Sequence, residues 1–312
     1  MESLHDTYSF GLQPLQRRMT ALDFDRKDRA APGEAEQLTP LVRRILCNNP
    51  SAFTFTGTSS FIVGRGRVAV IDPGPDDPAH LAALRHALRG ETVTHVLVTH
   101  SHADHSPLAA RLKAETGAGV LAFGAADTAS GDALRLDAGI DHGFAPDERL
   151  RDGETLSGPG WTLDAIFTPG HMSNHMCFAL REEQSLFSGD HVMFWATSVI
   201  APPEGRMGDY LASLRKLLER DDKYYHSAHG PGRRDPLPFV RGLLSHRRMR
   251  EAAILQRLRS GDRHAKEIVA ALYADVDPRL HGAAALSVRA HLEHLVEQGQ
   301  ARPTDDGYEA LG

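Results

Sequence analysis

Four metal-competent side chains fall within six residues in His100-Ser101-His102-Ala103-Asp104-His105. Imidazole nitrogens suit zinc, iron and related ions, and a carboxylate adds charge and an oxygen able to bridge. Three further donors stand beside Gly or Pro: His171 in Thr168-Pro169-Gly170-His171, Asp190 in Ser188-Gly189-Asp190, and His229 before Gly230-Pro231. Each follows a short apolar-patterned stretch, so each reads as a side chain aimed from a tight turn at a strand end. A single Pro-Gly-His turn is a weak signal. Together these segments supply five histidines and two aspartates, enough for two ions sharing one carboxylate. That is the donor set of two-metal hydrolysis, in which a metal-bridging hydroxide attacks a carbonyl or phosphoryl centre and the second ion steadies the oxyanion. Asp104 and Asp190 would then position or accept protons.

The elements that must hold these residues are legible from periodicity. Residues 59–63 and 67–71 are predicted as a hairpin turning at Gly64-Arg65-Gly66, and Asp72-Pro73-Gly74-Pro75 ends its second strand. Residues 79–88 repeat apolar side chains at helical spacing, while 93–99 is a near-continuous apolar run, the pattern of a strand covered on both faces. A helix over 107–115 and a strand over 119–123 follow. The pattern recurs with strands over 162–167, 176–180, 185–188 and 224–227 and an amphipathic helix over 209–220. Strands alternating with helices imply a layered α/β domain. The stretch 41–46 is too short to assign to helix or strand. After the Gly/Pro-rich 230–238, three helices (243–260, 264–273, 283–298) and a hairpin turning at Asp306-Gly307 give the order of a winged-helix module.

The ordered set His100-x-His102-x-Asp104-His105, Pro169-Gly170-His171, Gly189-Asp190 and His229-Gly230 resembles the metallo-β-lactamase superfamily. Within it, the beta-lactamase-like protein 2 group is the nearest likeness. The shared residues are Asn49-Pro50, Gly57-Thr58, Ile71-Asp72-Pro73-Gly74, His171-x-x-x-His175 and a tail running from Ser245 through Glu251 to Leu255. The resemblance implies an αββα sandwich with the site at one edge between two sheets, followed by a winged-helix domain. It implies His100, His102 and His171 on one metal, Asp104, His105 and His229 on the other, and Asp190 between them. It implies that Asp72 orients a ligand histidine and that His175 lies behind the ligands or faces substrate. The chain departs from the family pattern at Met172, where Thr is usual, at Ser227-Ala228, where Pro-Gly is usual, and at Ser101.

These readings divide the 312 residues into an N-terminal arm (1–45), a metallo-β-lactamase-fold domain (46–238) and a winged-helix-like domain (239–312). The expected cofactor is a pair of divalent ions, zinc first, with iron or manganese as substitutes. Trp195, five residues beyond Asp190, is a candidate to line the substrate pocket, with core packing as its alternative.

Net charge is −6, from 35 Lys and Arg against 41 Asp and Glu, which excludes a generally basic nucleic-acid coat. Residues 241–312 hold 11 Lys and Arg against 10 Asp and Glu, a net of +1. No apolar run approaches the roughly 20 residues of a membrane span. Cys47 and Cys177 are the only cysteines, which fits a reducing cytoplasm. A small ester, thioester or lactone is the expected substrate. Single-stranded RNA is the alternative, which the group resemblance implies and to which Arg247-Arg248-x-Arg250 could contribute if it faces the metals; a non-hydrolytic metal-binding protein is the third reading. The tail is expected to roof the cleft or to make an oligomer contact.

Overall fold

A computed structural model describes residues 22–126 and 139–312. One sheet contains β1 (Ala35–Gln37), β2 (Val42–Leu46), β3 (Ser59–Arg65), β4 (Arg67–Ile71), β5 (Thr92–Leu97), β6 (Gly119–Ala122) and β7 (Glu148–Arg149), in that spatial order. The second contains β8 (Thr155–Gly158), β9 (Trp161–Phe167), β10 (Met176–Leu180), β11 (Ser185–Gly189), β12 (Tyr224–Ser227) and β13 (Arg233–Arg234), ordered β13-β12-β11-β10-β9-β8.

Alternation along the strands explains why the two sheets stack. Phe61, Val63 and Ala69 turn inward to meet Leu163, Phe178 and Phe187 of the second sheet. Ile62, Val68 and Val70, one residue out of phase, turn outward against α1 (Pro78–Ala87) and α2 (Leu108–Thr116) through Leu81, Leu84 and Leu112. In the second sheet Cys177 and Ala179 turn outward against α3 (Met207–Leu218) through Tyr210 and Leu214. The result is helix, sheet, sheet, helix. Trp161 stands between the sheets and donates from Nε1 to the Arg67 carbonyl at 2.9 Å, tying one sheet to the other.

Strand polarity then fixes where chemistry can gather. β4 and β5 run parallel, and so do β11 and β12; β9 points the same way as β11 because both are antiparallel to β10. The carboxyl ends of β4, β5, β9, β11 and β12 are the positions of Asp72, the His100–His105 segment, His171, Asp190 and His229. They meet where the sheets are stitched by Met176 N–H to the Thr99 carbonyl (2.8 Å) and Ser59 N–H to the Ala228 carbonyl (2.8 Å).

Two expected boundaries differ. Of residues 41–46, all but Leu41 form strand β2, paired with both β1 and β3, so the sheet begins at Ala35, inside the stretch read as an arm. Val42 and Ile45 alternate toward the two cores, a cue too short to use in sequence. The break at 238/239 falls in the first turn of α4 (Leu237–Arg259). The first half of that helix packs Phe239, Val240 and Leu243 under the second sheet. Its second half packs Ile254 and Leu258 against α5 (Ala265–Leu272) and α6 (His281–Glu297). The hairpin β14 (Ala301–Thr304) and β15 (Gly307–Ala310) completes the tail. Because one helix belongs to both cores, cutting at 238 would remove core side chains as well as the tail.

Glu251 of α4 ties the helices of the tail. Its Oε2 accepts from His291 Nδ1 at 3.2 Å and His294 Nδ1 at 2.7 Å. Burial opposes ionisation of Glu251, but the two imidazoles outweigh it and bring its carboxyl down to about 2. The same bond raises His294 above its ordinary value. A raised histidine contributes stability that is complete below its unfolded value of about 6.5 and is lost as pH rises through the folded value. Glu251→Gln should therefore lower the Tm more at pH 6 than at pH 9. Thermal unfolding at both pH values checks this, and equal losses would contradict it.

Candidate metal centre

Five histidines and two aspartates converge at the sheet edge, all buried except the partly exposed His102. One group of ligand atoms comes from His100, His102, His171 and Asp190, another from Asp104, His105 and His229; within each group they lie within 4.8 Å of one another. Asp190 reaches both groups. Its Oδ2 is 3.6 Å from His171 Nε2 and 4.0 Å from His100 Nε2, while its Oδ1 is 3.3 Å from His229 Nε2 and 3.6 Å from His105 Nε2. One carboxylate oxygen thus faces each set.

Hydrogen bonds behind the rings assign which nitrogen is bare. His105 Nδ1 donates to Asp72 Oδ2 at 2.9 Å, and Asp72 is itself fixed by Thr99, whose N–H and hydroxyl donate to it at 2.7 and 2.8 Å. With its proton given to Asp72, the Thr99 hydroxyl accepts from His100 Nδ1 at 3.0 Å. His171 Nδ1 donates to the Val199 carbonyl (2.7 Å) and His229 Nδ1 to the Gly57 carbonyl (3.1 Å). All four rings therefore turn Nε2, not Nδ1, into the cleft. His102 presents Nδ1 instead, 2.8 Å from His100 Nε2 and 3.1 Å from His171 Nε2.

Three facing imidazole nitrogens share at most a proton or two, and the arrangement wants a cation at its centre. His105 Nε2 and Asp190 Oδ1 are buried and find no hydrogen-bond partner among the described residues, which in a native site calls for an explanation such as a bound ion. The donor chemistry, imidazoles plus carboxylates in two adjoining sets, fits divalent transition metals.

Electrostatics point the same way. Burial, with His171 beside it, pushes His102 down to about 3, and burial with His105 and His102 holds His100 far below its ordinary value. These rings are neutral and available as ligands. Burial also opposes protonation of His229, yet Asp190 and Asp104 outweigh it and push it up to about 10. Two buried carboxylates in this half of the cleft hold positive charge strongly, as a metal would supply it.

Glycines set the approach of two donors. Gly170 sits at φ +134, and a Cβ there would lie 2.3 Å from the Tyr210 backbone; Gly189 sits at φ +50, and its Cβ would lie 2.5 Å from His175 Nε2. The strand-end turns that carry His171 and Asp190 accept no other side chain without displacement.

His175 is fully buried behind Asp190. Its Nδ1 donates to Thr168 Oγ1 at 2.9 Å and its Nε2 accepts the Asp190 N–H at 3.3 Å, so it supports the aspartate and does not face solvent. Phe194 is core. Trp195 is partly exposed, stacked on Phe55 with ring centroids 5.0 Å apart, both against Gly230 beside His229. At the departure Ser227-Ala228, the Ser227 hydroxyl donates to the His229 and Pro231 carbonyls at 2.9 and 3.1 Å, bracing the turn without proline.

The sequence assigned no role to Thr58, whose hydroxyl donates to Asp104 Oδ2 at 3.1 Å and accepts from Asn49 Nδ2 at 2.9 Å. Gly57 and Val199 act through backbone carbonyls, which carry no side-chain signal. The arginine cluster also reads differently in three dimensions. Arg247 is buried, and Arg250 donates to the Leu272 carbonyl (3.1 Å) with its guanidinium 4.1 Å from the Tyr273 ring centroid. Of the three, only Arg248 is exposed, which removes the phosphate-holding patch expected for an RNA substrate.

Residues 53–229 match the metallo-beta-lactamase superfamily, and residues 265–309 match the beta-lactamase associated winged helix domain. An atrochrysone carboxyl ACP thioesterase from Claviceps purpurea is 32% identical over 231 residues, covering 71% of this chain and 66% of that protein. One from Pseudocercospora fijiensis is 34% identical over 204 residues, covering 62% and 54%. The alignments thus span roughly half to two thirds of these relatives. Among solved structures, a beta-lactamase domain protein from Burkholderia ambifaria shares the fold with a TM-score of 0.76 at 21% identity, covering 96% of this chain and 99% of that one. A metallo-beta-lactamase family protein from Thermus thermophilus does so with a TM-score of 0.70 at 23% identity, covering 88% and 100%. The chain belongs to the metallo-beta-lactamase superfamily and carries that superfamily's associated winged-helix domain at its C-terminal end.

Proposed function

We propose that this chain is a binuclear metal-dependent hydrolase of small-molecule thioesters. The observation that carries the reading is Asp190, one oxygen toward each of two histidine-rich sets. His100, His102 and His171 would hold one ion and Asp104, His105 and His229 the other, with Asp190 between them. Two divalent ions, zinc first and iron or manganese as substitutes, would supply an activated water and positive charge against the developing oxyanion.

The chain's own residues do the rest. Asp72, Thr99, Val199 and Gly57 fix the ring orientations, so the donor atoms are set before substrate arrives. Thr58 pins one oxygen of Asp104. Asp104 and Asp190 would hold the attacking water in place by accepting its hydrogen bonds. Their neighbouring imidazoles keep both carboxylates ionised, as acceptors, at neutral pH. The partly exposed Phe55–Trp195 stack beside His229 offers an apolar face to the acyl group.

The choice of thioester over ester or lactone rests on the relatives named as acyl-carrier thioesterases. The RNA reading loses its support with Arg247 buried against Ser198 and Tyr210 and Arg250 engaged with Leu272 and Tyr273. Among the described residues no helix is long and apolar enough to cross a membrane.

Reconstituted protein should retain close to two transition-metal ions per chain by elemental analysis, and chelation should abolish hydrolysis of acyl thioesters. His100→Ala should lower kcat/KM about a thousandfold or more, since metal catalysis supplies several kcal/mol. Full turnover by chelated protein, or a trace of metal after reconstitution, would contradict the reading. Trp195→Ala should raise KM for an apolar acyl thioester about tenfold with kcat little changed, the scale of one aromatic contact. Steady-state kinetics checks this, and an unchanged KM would place the stack outside the acyl site.

A further inference from the structure

Arg247 lies on α4, in the tail, and only 3% of it is exposed. Its guanidinium sits over the Tyr210 ring, 5.3 Å from the centroid, and its Nη2 donates to the Ser198 carbonyl. It forms no ion pair with a carboxylate among the described residues, and its Nε has no hydrogen-bond partner among them. A buried cation with no carboxylate beside it costs stability.

What Arg247 touches is the segment between two donors of the metal centre. Ser198 Oγ donates to the carbonyl of Asp190 at 2.5 Å and to that of His191 at 3.1 Å. The Tyr210 hydroxyl donates to the same His191 carbonyl at 3.0 Å. One residue beyond Ser198, the Val199 carbonyl takes the His171 Nδ1 proton at 2.7 Å. Next, the Ile200 N–H reaches Ser287 Oγ on α6 at 3.4 Å. The segment 190–200 thus starts on one donor, ends against another, and is gripped from the tail at Ser198 and Ile200.

We propose that Arg247 is a positioning residue of the metal centre. By fixing Ser198 and Val199 from the tail helix, it sets the Asp190 backbone and the His171 ring. The tail is then part of the scaffold of the ion position formed by His100, His102 and His171. This rests on the reading of Asp190 and His171 as ligands.

The test uses the full chain with zinc as probe. Two quantities are measured: ions retained per chain in dialysis against a competing chelator, and the rise in Tm on adding zinc. Wild type should retain two ions. In Arg247→Met, which keeps the bulk and removes the donors, one ion should bind about 10- to 100-fold more weakly, the usual effect of losing a group that orients a ligand. Occupancy should fall toward one, and the zinc-induced rise in Tm should shrink. Arg247→Lys should recover part of both, and the exposed neighbour Arg248→Met should match wild type. If Arg247→Met does not fold, Ser198→Ala decides, since it deletes only the hydroxyl that holds Asp190; it should weaken the same ion. A lower metal-free Tm with two-ion retention and the zinc-induced rise unchanged would mean that Arg247 only packs the tail, and would overturn the proposal. A wild-type chain that takes up no zinc would overturn this proposal and the hydrolase reading together, whereas two ions in both wild type and Arg247→Met would overturn this one alone.

Discussion

Two carboxylates and five imidazoles, nearly all out of water, occupy one cleft, and most of the fold follows from making that arrangement tolerable. A buried carboxylate without compensation is costly, and facing imidazole lone pairs repel. The hydrogen bonds behind the donors only partly answer this. They fix orientation, but they leave Asp190 Oδ1 and His105 Nε2 without a hydrogen bond among the described residues and three ring nitrogens pointed at one another. The remaining compensation must be positive charge in the middle. A divalent ion in each donor set would supply that charge.

Orientation is distributed over elements far apart in the chain. Asp72 at the end of β4 serves both His105 and, through Thr99, His100. The loop before β3 serves His229 through Gly57 and Asp104 through Thr58. The segment after Asp190 serves His171 through Val199 and is held in turn by α4 and α6. Both sheets and the tail therefore converge on the same few atoms.

The donors were legible in sequence because metal ligation needs particular side chains, and because strand-end turns mark them with Gly or Pro. His100, His102, Asp104, His105, His171, Asp190 and His229 all lie in the cleft, and Asp72 accepts from His105 Nδ1. The strands of the sheet core were legible as well, since 59–63 and 176–180 are short apolar-rich stretches bounded by polar or turn residues, while the face each side chain takes was not, because 61–63 and 176–180 are apolar throughout. Short or polar edge strands such as β7, β8 and β13 were not, because two to four residues show no period. The roles of Gly57 and Val199 were hidden because they act through backbone carbonyls. Arg247 was misread for a different reason: in sequence it stands in a basic run, and only packing separates a buried arginine from its exposed neighbour.

The central claim is that Asp190 bridges two ions, and a crystal structure of the zinc-loaded chain with anomalous scattering tests it most directly. The account predicts two peaks about 3.5–4 Å apart, the spacing of two-metal hydrolases. One should be ligated by His100, His102 and His171, the other by Asp104, His105 and His229, with one Asp190 oxygen on each. A single peak, or two peaks with Asp190 bound to only one, would contradict it.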